Sequence, residues 1–221
     1  MTGGKSAILF DLDGVTIDTE PLYTISEIRL FKEYGVDIPK DDWQLFRGCS
    51  EETFFDLSME RYGVTENREL FIQKGRQYVM DEFKKNIPFM PGLKDLISRV
   101  SKNYITGLVT ASPLRILDWI RNKIELDNYF EYILSGEETI KNKPHPHPYV
   151  EMMRRINVSP LNTVIIEDSM LGLRSAIASG GHVVAKKGSV SHEKLDIAHR
   201  IVDNLDEITL EFIEDLLLDP I

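Results

Sequence analysis

The feature that most constrains this chain is a short apolar run that stops abruptly at two acids. Ala7, Ile8, Leu9 and Phe10 are followed by Asp11, Leu12, Asp13 and Gly14. Four apolar residues are too few for a helix and suit a strand buried on both faces of a parallel sheet. In open α/β sheets the crevice beyond the carboxyl ends of the strands is where ligands bind, so the two acids stand where chemistry is expected. One residue apart in an extended chain, they share a side, and two such anions repel unless a cation sits between them. Gly14 lets the backbone turn tightly behind them. The residues read either as a divalent metal site beside a carboxylate nucleophile or as an acidic turn closing a strand.

The rest of the chain changes period twice. Leu22, Ile25, Ile28 and Phe31 recur at helical spacing until Gly35, which predicts a first helix. Pro39 is expected to open a short second helix through Trp43 and Phe46. Ser50 is expected to cap a third with Phe54, Leu57 and Tyr62, and Thr65 a fourth that runs towards Phe83. Two prolines and a glycine in PFMPG, residues 88–92, mark a return to another architecture. A helix from Leu93 to about Lys102 is then expected. Short apolar strands follow at Ile105–Val109, Tyr132–Leu134, Val164–Ile166, His182–Ala185 and Arg200–Val202, separated by helical or turn-rich sequence. The alternation predicts an α/β fold with a doubly wound parallel sheet. Residues 1–17 and 88–221 form this core, and 18–87 form a small all-helical cap domain.

Three more strand ends carry polar groups of the right kind. In LVTASP, Thr110 ends a strand, Ser112 is placed to cap the next helix and Pro113 to enter its first turn, so that backbone amides face the loop. Residues of this kind also serve plain capping. In NKPHPHP, Lys143 precedes a proline-stiffened helix entry that would hold its ammonium in place. His145 and His147 in the same stretch read as surface loop residues in preference to transition-metal ligands. The strand TVIIEDS ends at Glu167 and Asp168, with Ser169–Ser179 as a helix closed by Gly180 and Gly181. Taken alone, such acids cap a helix; beside Asp11 and Asp13 they complete a site.

DLDGVTIDTE, residues 11–20, resembles the first motif of the haloacid dehalogenase superfamily, in its subgroup of phosphatases and β-phosphoglucomutases. The other three elements follow in the family's order, and the resemblance covers essentially the whole chain, early cap insertion included. It implies a Mg²⁺-dependent phosphotransfer enzyme in which Asp11 attacks phosphorus to form an aspartyl phosphate. Asp13 would serve as acid and base, and Thr110 and Lys143 would hold phosphoryl oxygens beside Ala111 and Ser112. The metal set implied is Asp11, Asp13 through its backbone carbonyl, Asp168 and an assisting Glu167. Where relatives carry Asp after the second proline of the lysine motif, this chain has His147. Asp13 argues against carbon–halogen cleavage, because the family's dehalogenases lack that acid.

Within the resemblance, phosphatase and mutase differ in the cap. The mutase's cap histidine is replaced by Tyr23, which cannot play that part in the same way at neutral pH. Arg47 and Gly48 of FRGCSEE match the mutase's phosphate-binding loop, but its next arginine is Glu51, which would repel a distal phosphate. Lys74 falls near a cap lysine of that family. The balance favours a phosphatase acting on a small sugar or polyol phosphate; a phosphomutase is the alternative, and a non-catalytic binder of a phosphorylated ligand a third reading, which the intact acids disfavour.

Bulk properties agree with a small phosphorylated metabolite as partner. A net charge of −10 over 221 residues argues against nucleic-acid or anionic-membrane surfaces. A single cysteine, Cys49, cannot form an internal disulfide, and no apolar run approaches a membrane span. The expectation is a soluble cytoplasmic monomer.

Overall fold

The computed structural model describes residues 5–39, 42–43, 51–188 and 195–220, with the side chains of 51–53 left aside. The chain divides into two compact units, Met1–Asp18 with Phe89–Ile221, and Thr19–Pro88.

The first unit is a parallel sheet. Its strands are β1 (Ala7–Phe10), β2 (Ile105–Val109), β3 (Tyr132–Leu134), β4 (Thr163–Glu167), β5 (His182–Lys186) and β6 (Arg200–Val202), in the spatial order β3-β2-β1-β4-β5-β6. β1 and β4, in the middle, are buried along their whole length, which is why they read as unbroken apolar runs instead of alternating ones. The register aligns Phe10 with Leu108 on one side and with Ile166 on the other. Asp11, Val109 and Glu167 therefore stand level at one rim. The chain moves outward through β2 and β3, then returns to β4 on the other side of β1, so the rim between β1 and β4 is a topological switch point.

Helices pack on the sheet's faces: α4 (Leu93–Val100), α5 (Leu114–Ile124), α6 (His147–Ile156), α7 (Met170–Ala178) and α8 (Leu210–Leu218). Leu9, Val109 and Ile165 of the sheet meet Tyr149, Met152 and Leu173 of α6 and α7 in one continuous core. Burying side chains of this size contributes about 1.5–3 kcal/mol each, so the strands that carry the rim are anchored in this core. α4 stops at Val100, two residues short of the expected helix, because Asn103 and Tyr104 both donate to the Val100 carbonyl in a tight turn.

The second unit is helical in its described residues: α1 (Glu20–Glu33), α2 (Glu51–Tyr62) and α3 (Arg68–Lys85). Its core is aromatic, with Phe31, Phe54, Phe55 and Phe71 packed around Leu30 and Ile72. The Phe31 and Phe71 rings meet edge to face with centroids 5.2 Å apart, the arrangement their quadrupoles favour. α3 starts two residues later than a cap at Thr65 would place it. Asn67 caps it, its side-chain oxygen accepting from the Leu70 amide at 3.2 Å, since the chain between Val64 and Glu66 is still turning. The short second helix expected from Pro39 to Phe46 lies outside the described residues save for Pro39, Asp42 and Trp43, as do Arg47, Gly48, Cys49 and Ser50 and the side chain of Glu51. No described helix is long and apolar enough to cross a membrane.

Candidate active site

Three of the four expected strand ends converge on one buried lysine. The Lys143 ammonium donates to Asp11 Oδ1 at 2.6 Å, to Glu167 Oε1 at 2.7 Å and to the Val109 carbonyl at 3.1 Å. Its three protons are thereby committed to the ends of β1, β4 and β2. Asn142, the residue before it, donates from its amide nitrogen to the Ala111 carbonyl at 3.2 Å and accepts from the Lys143 amide at 3.0 Å, which ties the lysine loop to the loop after β2.

Glu167 is saturated with donors. Oε1 accepts from Lys143 and from the Tyr149 hydroxyl at 2.7 Å. Oε2 accepts from the amides of Asp168 at 3.1 Å and Ser169 at 3.3 Å, and from the Ser169 hydroxyl at 3.1 Å. A carboxylate held this way is fixed in place. It also needs room: a Cβ at Gly172 would fall 1.8 Å from Glu167 Oε1, so no side chain fits there. Ser169 then caps α7, accepting from the Gly172 amide at 3.1 Å.

Asp11, Glu167 and Asp168 place carboxylate oxygens within 4.8 Å of one another, all buried. Asp13 is half-buried two residues beyond Asp11. Gly14 has a positive φ of 75°, and a Cβ there would sit 2.1 Å from Asp168 Oδ2, so the glycine both turns the chain and lets the first loop lie against Asp168. Behind Asp11, the Thr16 hydroxyl donates to the Asp11 carbonyl at 2.6 Å and fastens the loop. Burial raises the Asp11 carboxyl well above its ordinary range; Glu167 pushes the same way, Lys143 opposes, and Asp168 and Asp13 add to the rise. For Lys143 burial acts against the charge, but Asp11 and Glu167 outweigh it and hold the ammonium charged. A buried group of acids that raises the proton affinity of Asp11, with Lys143 beside it, is a donor set that fits a hard divalent cation.

Thr110 is buried at the end of β2. Its hydroxyl oxygen accepts from the Ser112 amide at 3.0 Å, which leaves the hydroxyl proton to donate elsewhere. Ser112 is not the helix cap: Pro113 takes the N-cap position of α5, without a side-chain bond, because the loop spends Thr110 on the Ser112 amide and the Ser112 carbonyl on the Gly136 amide at 3.2 Å. His145 Nδ1 accepts from the His147 amide at 3.1 Å, so one ring nitrogen of the pair is committed to the backbone.

In the helical unit, Tyr23 lies 6.0 Å, centroid to centroid, from the Phe83 ring. Lys74 is ion-paired with Glu33 and its ammonium stands 5.2 Å from the Tyr34 ring centroid; Glu33 also accepts from the Tyr78 hydroxyl. The residues that sequence reasoning passed over are Thr16, Tyr149 and Asn142. Thr16, inside the first motif, and Asn142, at the start of the lysine motif, had a positional signal; Tyr149 had none.

A parallel sheet with its switch point at β1 and β4, and a buried lysine joining carboxylates from both, defines a strand-end carboxylate enzyme of the doubly wound α/β class. The family model for haloacid dehalogenase-like hydrolases matches residues 8–186, and the chain belongs to that family of enzymes. It is 30% identical over 176 residues to a phosphorylated carbohydrates phosphatase of Thermotoga maritima, covering 79% of this chain and 81% of that one. It is 27% identical over 176 residues to hexitol phosphatase B of Escherichia coli, covering 78% and 79%. Among solved structures it is similar to a Thermotoga maritima protein assigned as a β-phosphoglucomutase, with a TM-score of 0.80, 27% identity, and 95% and 99% of the two chains covered.

Proposed function

We propose that the protein is a Mg²⁺-dependent phosphatase that hydrolyses a small phosphate monoester, a sugar or polyol phosphate, through an aspartyl phosphate on Asp11. The observation that carries the reading is the Lys143 ammonium, shared by Asp11 Oδ1 and Glu167 Oε1 at 2.6 and 2.7 Å. Unaided hydrolysis of phosphate monoesters is so slow that enzymes accelerate it by up to about 10²¹-fold. A carboxylate nucleophile must therefore meet a dianion without repulsion, and a held cation beside the nucleophile supplies part of that screening. The names of two of its relatives, phosphatases of phosphorylated carbohydrates and of hexitols, support the substrate class.

In this reading Asp11 attacks phosphorus with Oδ2, while Lys143 keeps Oδ1 in place. Asp13 gives its proton to the leaving oxygen and takes one from the water that later opens the acyl phosphate. Thr110 donates its hydroxyl to a phosphoryl oxygen, with the loop of Ala111 and Ser112 beside it. Asp11, the Asp13 carbonyl and Asp168 would hold Mg²⁺, with Glu167 alongside as the anchor of Lys143. When bound, the ion supplies positive charge that keeps Asp11 ionised and neutralises charge developing on the phosphoryl group.

A phosphomutase is the second reading, favoured by the fold's likeness to the β-phosphoglucomutase-assigned structure. The pairing of Lys74 with Glu33 inside the helical unit supports the phosphatase, since a lysine neutralised by its own neighbour is a weaker ligand for a distal phosphate. The test is phosphate release from a panel of sugar and polyol phosphates, β-glucose 1-phosphate included, with Mg²⁺, with chelator and with Asp11→Asn. Metal-dependent release that the substitution abolishes is the expected result. Isomerised sugar phosphate without net release would instead establish the mutase.

A further inference from the structure

The end of β5 carries a second buried cation for which the proposed mechanism has no part. Lys186 is the last residue of that strand and is only 8% exposed. Its ammonium donates to the neighbouring Lys187 carbonyl at 3.0 Å. A single neutral acceptor is thin support for a buried charge, which in general requires an opposite charge close by. The parallel register supplies one. Glu167 of β4 pairs with Ala185 of β5, so one residue on, Asp168 and Lys186 are level on adjacent strands, whose spacing is about 4.8 Å. Gly188 lies between them: a Cβ there would be 3.4 Å from Asp168 Oδ2 and 3.7 Å from Lys186 Nζ, which puts the ammonium within about 7 Å of the carboxylate.

At that distance in a buried setting, a unit charge is felt by whatever binds at Asp168. The charge inventory gives it a reason to be there. Asp11, Glu167 and Asp168 bring three formal negative charges, Asp13 entering with the proton it gives to the leaving oxygen, and Lys143 offsets one. A divalent cation offsets the other two, and Lys186 leaves the loaded site with one formal positive charge to meet the phosphate dianion.

We propose that Lys186 is a built-in counter-charge of this site, which holds down its affinity for the divalent cation and raises its affinity for the phosphate dianion. The proposal rests on the metal and phosphate reading above and adds a residue that acts through its field, without touching substrate. The two effects have opposite sign, and a lysine that merely supported the fold would not produce them.

The experiment compares wild-type protein with Lys186→Met, Lys186→Arg and Lys187→Met, using calorimetric titration of Mg²⁺ and then of inorganic phosphate at saturating Mg²⁺. Lys187 is the control, a half-buried neighbour paired with Asp203. From Coulomb's law at this distance with strong screening, Lys186→Met should bind Mg²⁺ roughly five- to tenfold more tightly and phosphate about threefold more weakly at low salt. Both shifts should shrink in high salt, and Lys186→Arg and Lys187→Met should stay close to wild type. A Lys186→Met protein that folds by circular dichroism and binds both ligands as the wild type does, or binds both more weakly, overturns the proposal. Wild-type protein that takes up no Mg²⁺ in the first titration overturns the metal reading beneath it, a distinct result.

Discussion

The sheet rim and the helical unit treat their charged residues differently. At the rim, Lys143 is buried and reaches carboxylates from two strands more than twenty residues away in sequence, and Glu167 accepts from five donors. In the helical unit, the charged residues pair mostly in water: Arg68 with Asp56, Arg61 with Asp42, Lys85 with Glu82. Buried pairs lose several kcal/mol when one partner is removed, because the other is left uncompensated; exposed pairs are worth little. The loss of the rim's lysine is thus costly for both stability and chemistry, while the helical unit is held by its aromatic core and tolerates change in its charges.

The largest expected effect is at the nucleophile. Asp11→Asn should lower turnover by at least about 10³-fold, yet stabilise the metal-free protein. The sign follows from the raised carboxyl: folded Asp11 binds its proton more tightly than the unfolded chain does, so its contribution to stability is lost as pH climbs past the ordinary carboxylate range. The melting temperature of metal-free wild type should fall over that climb more steeply than that of the variant. Lys143→Met should reduce turnover by about 10²-fold or more and destabilise the fold by about 3–5 kcal/mol, since Asp11 and Glu167 lose their shared partner; denaturant titration reads the second number.

Phe71→Ala tests the other side of the comparison. Phe71 is fully buried and touches the Phe31, Tyr34 and Phe55 rings, so its loss should cost about 3–5 kcal/mol while Mg²⁺ affinity at the rim is unchanged. Glu27 is the exception among the helical unit's charges. Burial raises its carboxyl to about 8, so its neutral form stabilises the fold below the ordinary glutamate range and that contribution is lost as pH rises towards 8. Glu27→Gln should remove this slope and be more stable than wild type above pH 8 by on the order of 2 kcal/mol, seen as melting curves that diverge with pH. The smallest effect is expected for Lys74→Ala: with its charge already on Glu33, KM should change by less than about threefold.

How much of this could be read from residues alone follows the same division. β1, β4 and the acids behind them were legible because strands buried on both faces give uninterrupted apolar runs, and a run that stops at Asp-x-Asp or Glu-Asp announces a rim. Cap positions were less so. Asn67 displaced Thr65, and Pro113 displaced Ser112, because several residues near a helix start can serve and the tertiary path of the loop decides among them. Tyr149 and Lys186 gave no sign: a tyrosine on an amphipathic helix and a lysine at a strand end are ordinary until the packing of α6 sets the one beside Glu167 and the register of β4 and β5 sets the other level with Asp168. Charge networks assembled from distant segments have no sequence period, and that is the part of the site only three dimensions supply.

The most direct test of the account is to follow the phosphoryl group itself. Protein mixed with a radiolabelled sugar phosphate from the panel and Mg²⁺, quenched in acid within the first turnover, should carry acid-stable label on the peptide containing Asp11, and the label should chase into inorganic phosphate. Phosphate released without any labelled protein, or label on a residue other than Asp11, would contradict the account.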